Sequence, residues 1–128
     1  MTARASTLAS LSEEMLLQLF EPPVMFHRCL VPVTGSVTAA LMLSQAIRDT
    51  EDLDPRAGGW FSKSQEQWAE ATGLSRWEQE TARRALRQAG LIEERRIGMP
   101  ARLWYRVCEG PVFDALQRQA ERFAGGRP

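Results

Sequence analysis

Residues 72–92 read Thr72-Gly73-Leu74-Ser75-Arg76-Trp77-Glu78-Gln79-Glu80-Thr81-Ala82-Arg83-Arg84-Ala85-Leu86-Arg87-Gln88-Ala89-Gly90-Leu91-Ile92, and they specify a helix together with both of its ends. Ser75 followed by Glu78 is a capping box, in which hydroxyl and carboxylate each satisfy an amide that the first turn leaves orphaned. Gly90 stands where a left-handed residue closes a helix. No proline or glycine interrupts the turns between them. At about 100° per residue, Ala82, Leu86 and Ala89 share one sector, flanked by Ala85 and Gln79. Arg76, Trp77, Glu80, Arg83, Arg84, Arg87 and Gln88 collect opposite. One side is small and apolar; the other carries arginine.

Working outward, Ser64-Gln65-Glu66-Gln67 is a second capping box, opening a short helix through Trp68 to Ala71. A turn containing Gly73 joins the two helices. After Gly90, residues 91–97 and 102–107 read as two strands joined by Gly98-Met99-Pro100-Ala101. Leu103, Tyr105 and Val107 alternate with Arg102, Trp104 and Arg106, the pattern of a half-buried strand. Gly58-Gly59-Trp60-Phe61-Ser62 offers a short third strand. Helix, turn, helix and basic hairpin together predict a mainly α fold with a small antiparallel β-wing: a winged helix-turn-helix.

The run TGLSRWEQETARRALRQAGLI, preceded by WFSKSQEQWAEA and followed by a hairpin ending in WYRV, resembles the winged-helix DNA-binding domains of plasmid and phage replication proteins. The spacing from Leu74-Ser75-Arg76 to Gly90-Leu91-Ile92 is also similar to that of winged-helix transcription regulators. The resemblance reaches upstream through residues 35–45 and covers roughly residues 30–107. It implies duplex DNA as partner, in bacterial plasmid or phage replication initiation or its control. A transcription regulator uses the same unit, and so does a winged helix that has become a protein-interaction module.

A chain of 128 residues and 14.4 kDa predicts a single domain, with its core over about residues 34–107, an N-terminal helical extension over 10–33 and a C-terminal helix over 111–124. No apolar run approaches the ~20 residues of a membrane span. Nothing resembles a secretory signal, so a cytoplasmic setting is expected, with Cys29 and Cys108 as reduced, partly buried thiols.

Net charge is zero, which alone would argue against a polyanionic partner. Its distribution argues the reverse. Residues 1–74 carry five basic and nine acidic side chains, whereas residues 75–106 carry eight arginines against four glutamates. A basic third within a neutral whole is a patch, and a patch is what phosphate requires.

The remaining elements follow from local signals. Ser10-Leu11-Ser12-Glu13 predicts a capped helix with Leu11, Met15, Leu16 and Leu19 along one side, stopped by Pro22-Pro23. Residues 24–33 alternate poorly and contain Pro32, which suggests an extended segment or a short strand. Ser36 or Thr34 caps a helix to about Asp49 that is apolar around much of its girth and should be the most buried. Asp49 to Gly59 reads as an acidic loop. Pro111 begins an amphipathic C-terminal helix carrying Val112, Phe113, Leu116, Ala120 and Phe123. The N- and C-terminal helices are the candidates for a homodimer interface.

The candidate DNA-binding residues are Arg76, Trp77, Glu80, Arg83, Arg84 and Arg87 on the helix, Arg95, Arg96 and Arg102 on the wing, and Lys63 with Ser64 at the preceding helix start. Arginine in a groove reads guanine or holds phosphate, and wing cations suit the backbone or minor groove. The competing reading is a solvated helix face, with Glu80 pairing Arg76, Arg83 and Arg84 at helical spacing, and charge guarding an edge strand. Trp77 reads equally as a DNA contact or as packing against the previous helix. Trp60, Trp68 and Trp104 read as core aromatics.

No catalytic, metal or cofactor site is predicted. His27-x-Cys29 lacks a partner for a triad or a metal cage. The run Asp49, Glu51, Asp52, Asp54 lacks the glycine and terminal glutamate of a calcium loop. An enzyme is therefore not expected.

Overall fold

The computed structural model describes residues 12–18 and 23–125. Its helices are α1 (Glu13–Gln18), α2 (Leu30–Thr34), α3 (Val37–Glu51), α4 (Gln65–Thr72), α5 (Arg76–Gln88) and α6 (Glu109–Gly125). A 3-10 turn spans Pro55–Ala57, and the strands are β1 (Trp60–Ser62), β2 (Ile92–Ile97) and β3 (Arg102–Val107). The three strands form one antiparallel sheet in the order β1-β3-β2. The fold is helix-rich with a β-wing.

The helix-turn-helix forms as its capping signals dictate. Ser64 accepts from the amide of Gln67 at 3.1 Å while Gln67 Oε1 accepts from the amide of Ser64 at 2.8 Å. Ser75 and Glu78 repeat the arrangement at 3.2 and 2.9 Å. Helix α4 ends on Gly73 (φ +76°) and α5 is followed by Gly90 (φ +72°). The amide of Gly90 donates to the Arg87 carbonyl and that of Leu91 to the Leu86 carbonyl, the paired bonds that seal a left-handed helix end. Buried Gln79 then fixes α5 to α4, its Nε2 donating to the carbonyls of Gln65 at 3.0 Å and Leu74 at 3.1 Å.

Helix α3 runs through the middle. Ser36 caps it, accepting from Ala39 at 3.1 Å, and Ala39, Ala40, Met42, Leu43, Ser44 and Ala46 are buried along it. Its small residues let α5 approach, which places Ala82 and Leu86 in the same core. From the sheet side come Phe61, Ile92, Tyr105 and Val107. Trp68 meets the edge of Tyr105 at a centroid distance of 5.5 Å and an interplanar angle of 87°, a favoured aromatic geometry. Trp68 is fully buried; Trp60 and Trp104 are half-buried.

Several expectations are corrected. Residues 30–34 are helical, not extended. Pro32 is compatible because the amides of a first turn have no partner within the helix. The α1 cap is Ser12, whose hydroxyl accepts from Met15 at 3.1 Å; Ser10, Leu11, Leu19 and Pro22 lie outside the described residues. Met15, Leu16 and Leu17 of α1 are exposed. Asp49 and Glu51 belong to α3, so the acidic loop starts later, where Asp54 caps the 3-10 turn. Helix α6 begins at Glu109 and carries Pro111 in its first turn; only Val112 is buried there, and Phe113 is exposed. Cys29 is exposed and Cys108 half-buried, both free. Among the described residues no helix is long and apolar enough to cross a membrane.

Candidate nucleic-acid interface

Burial divides α5 into three faces. Gln79, Ala82 and Leu86 are buried. Arg76, Glu80, Arg83 and Arg87 form a flank turned towards the wing, and Trp77, Thr81, Arg84 and Gln88 form a crest opposite the buried face, by the helical spacing of three and four residues. All four crest residues are exposed. Ala89 was expected on the apolar side, yet it is exposed, because the chain leaves the helix at that residue. Thr81 escaped sequence reasoning; its hydroxyl donates to the Trp77 carbonyl at 3.0 Å. Its polarity and position beside Trp77 were the available signals.

The flank is where charge is organised. Register sets Glu94 on β2 opposite Tyr105 on β3, on the face of the sheet that looks towards the helices. Glu94 accepts from Arg83 Nε on Oε1 at 2.7 Å and from Nη2 on Oε2 at 3.0 Å, and Arg87 Nη1 lies 3.3 Å from that same Oε2. The side chains of Arg83 and Glu94 are 13% and 7% exposed, so this bidentate pair is largely withdrawn from water. The Glu94 bond holds the Arg83 guanidinium even more firmly protonated than usual, against the opposing effect of burial. The partner of these arginines is thus Glu94 of the wing and not Glu80 of their own helix. A carboxylate eleven residues downstream of Arg83 reaches it only through the β2–β3 pairing, which no helical spacing reveals.

Arg83 is consequently a strut between helix and wing, and Arg87 is partly spent on the same carboxylate. Arg76, Arg84, Arg96 and Arg102 make no ion pair among the described residues and are exposed. Strand parity separates Arg95 from Arg96. Glu93 and Arg95 face outward with Arg106 and Trp104, while Glu94 and Arg96 face inward with Tyr105 and Leu103. Arg102 has outward parity, but it stands at the hairpin end of β3 and lines the cleft beside Arg96. Arg95 lies over the Trp60 ring at 4.7 Å and Arg106 over it at 4.8 Å, a stacked cation–π arrangement. Arg106 also donates to both oxygens of Glu93 at 3.0 Å. That contact draws the Glu93 carboxyl below its ordinary range. Of the three wing arginines expected to contact DNA, Arg95 is thus held over Trp60 on the face opposite Arg96 and does not line the cleft that Arg96 and Arg102 reach.

Lys63 is also engaged. Its ammonium sits 2.9 Å from Asp49 Oδ2 and 5.3 Å from the Trp68 ring centroid. Ser64 is committed to its cap.

Between the start of α4, the flank of α5 and the wing lies a cleft of 790 Å³, lined by Ser64, Arg76, Glu80, Arg83, Arg96 and Arg102 among others. Three unpaired guanidiniums converge on it from three elements: Arg76 from α5, Arg96 from β2 and Arg102 from β3. Such a cleft is open, polar and cationic. It can hold an extended anionic chain, with the crest of α5 left free beside it.

No family model matches this chain, and no curated protein matches it. The fold is similar to a solved structure, "N-Terminal domain of DNA binding protein". The two share 11% sequence identity and a TM-score of 0.53 over 92% of this chain and 96% of the other. At that identity the likeness is one of fold.

His27 is exposed and its amide donates to Ser44 Oγ at 3.1 Å, so its backbone secures the segment before α2 to α3. Cys108 Sγ lies 3.6 Å from Glu93 Oε1. Burial first, and the neighbouring carboxylate second, push its thiol up and keep it protonated.

Proposed function

We propose that the protein binds double-stranded DNA without catalysing a reaction, placing the crest of α5 in the major groove and a phosphate strand in the cleft between α5 and the wing. The observation that carries this reading is the convergence of Arg76, Arg96 and Arg102, unpaired and exposed, on a cleft 790 Å³ in volume. Phosphate contacts of this kind position a protein on a duplex, and the adjacent crest offers an indole, a hydroxyl, a guanidinium and an amide to base edges. A solvated face is a weaker account, because Glu94 has already neutralised the arginines that needed a partner and left these out.

The fold likeness to an N-terminal domain of a DNA binding protein supports the same reading. The resemblance of residues 30–107 to plasmid and phage replication proteins favours replication initiation or its control as the setting, with transcription control by the same fold as the runner-up.

Titrating salt against binding to a mixed-sequence duplex tests the proposal. The logarithm of affinity should fall linearly with the logarithm of salt concentration, and each of Arg76→Ala, Arg96→Ala and Arg102→Ala should lower the slope by about 0.9, the value for one phosphate contact. Arg95→Ala should leave the slope unchanged. No salt-dependent affinity, or equal effects of all four substitutions, would remove the reading and favour a protein-interaction module.

A further inference from the structure

Trp77 is 72% exposed at the top of the α5 crest. Its indole is the one large apolar group that α5 leaves in water, whereas every other large apolar side chain of the helix is buried. Its neighbours at helical spacing are Glu80, Thr81 and Arg84, and Arg76 precedes it in the chain; all four are exposed. Nothing about capping or packing calls for an indole there; Ser75, Glu78 and Gln79 already fix the start of the helix.

We infer that Trp77 makes duplex binding depend on the 5-methyl group of thymine, an inference that rests on the DNA-binding reading above. Position, surroundings and chemistry converge on it. The crest lies opposite the buried face, so it is the part of α5 that reaches deepest into a groove. Arg84 shares the crest with the indole and Arg76 lines the cleft alongside, so both exposed cations can meet phosphates on a duplex whose groove holds the crest. In the major groove the apolar feature of a base edge is the thymine methyl; the other edges present donors and acceptors. A protein partner would seat a tryptophan within a patch of further apolar side chains, and the neighbours of Trp77 are charged or hydroxylic.

The test begins with a duplex selected from a random pool by the wild-type protein, then resynthesised with deoxyuridine replacing thymidine one position at a time. At one or two positions uracil should weaken wild-type binding about fourfold, the worth of one buried methyl-sized group. Trp77→Ala should bind the thymine duplex more weakly and show no difference between thymine and uracil at those positions. Its thermal unfolding midpoint should match wild type, since the side chain is exposed. Wild-type indifference to uracil at every position would overturn the inference while leaving DNA binding intact. So would a Trp77→Ala protein that keeps the full thymine preference. Failure of the wild type to select or bind any duplex would instead bring down the DNA-binding reading itself.

Discussion

Glu94 shows how much one residue can reassign. Its carboxylate takes Arg83 in two hydrogen bonds and Arg87 at 3.3 Å, turning two apparent DNA contacts into a brace between helix and wing. Glu94→Gln should lower unfolding free energy in urea by about 2 kcal/mol, because the largely buried Arg83 loses a charged bidentate partner. Affinity for duplex DNA at low salt should rise in the same variant, since Arg83, which lines the cleft, loses the carboxylate that neutralises it. A stability loss with unchanged affinity would place Arg83 and Arg87 outside any DNA contact. Arg83 itself was legible in the sequence as an arginine on the correct side of α5; its partner was not, because that partner is set by strand register.

At the scale of elements, local chemistry was readable almost throughout. Both capping boxes formed between the residues that spelled them, and the α5 terminus closed at Gly90. Gly90→Ala should cost about 1 kcal/mol in denaturant unfolding, because φ is +72° and an L side chain is strained there. A Cβ at that position would meet nothing within 4 Å, so the loss should be purely conformational, with the unfolding m-value unchanged. The segment before α3 was misread for an equally local reason: Pro32 lacks an amide, which excludes it from a helix interior but not from a first turn. Helix α6 was legible as amphipathic, yet its apolar side is only partly covered, with Leu116 against the core and Phe113 in water.

Across the whole molecule, zero net charge conceals a division of labour between paired and free cations. Glu78, hydrogen-bonded to the backbone and side chain of Ser75, and Glu93, hydrogen-bonded by Arg106, are both held below their ordinary value of 4.5. Their folded values lie under their unfolded ones, so their contribution to stability is complete above about pH 4.5 and disappears as pH falls through the depressed values. The thermal midpoint should therefore stay level with respect to these groups from neutrality towards pH 5 and decline below 4.5. The Ser75 amide is the larger cause of the Glu78 shift and survives substitution, so Ser75→Ala should return the Glu78 carboxyl only part of the way towards 4.5 in an NMR titration; an unmoved value would discount the hydroxyl as a contributor. The sequence by itself determined the capped helices, the turn between them, the alternating strand β3 and the gathering of arginine into residues 75–106, because each rests on chemistry within a few residues of chain. Only the tertiary structure decided which guanidiniums remain available. Strand pairing carries Glu94 to Arg83 and Arg87, sends Arg95 over Trp60 on the far face, and leaves Arg76, Arg96 and Arg102 around one cleft. Charge neutralisation is a contact between elements, and helical periodicity carries no information about it.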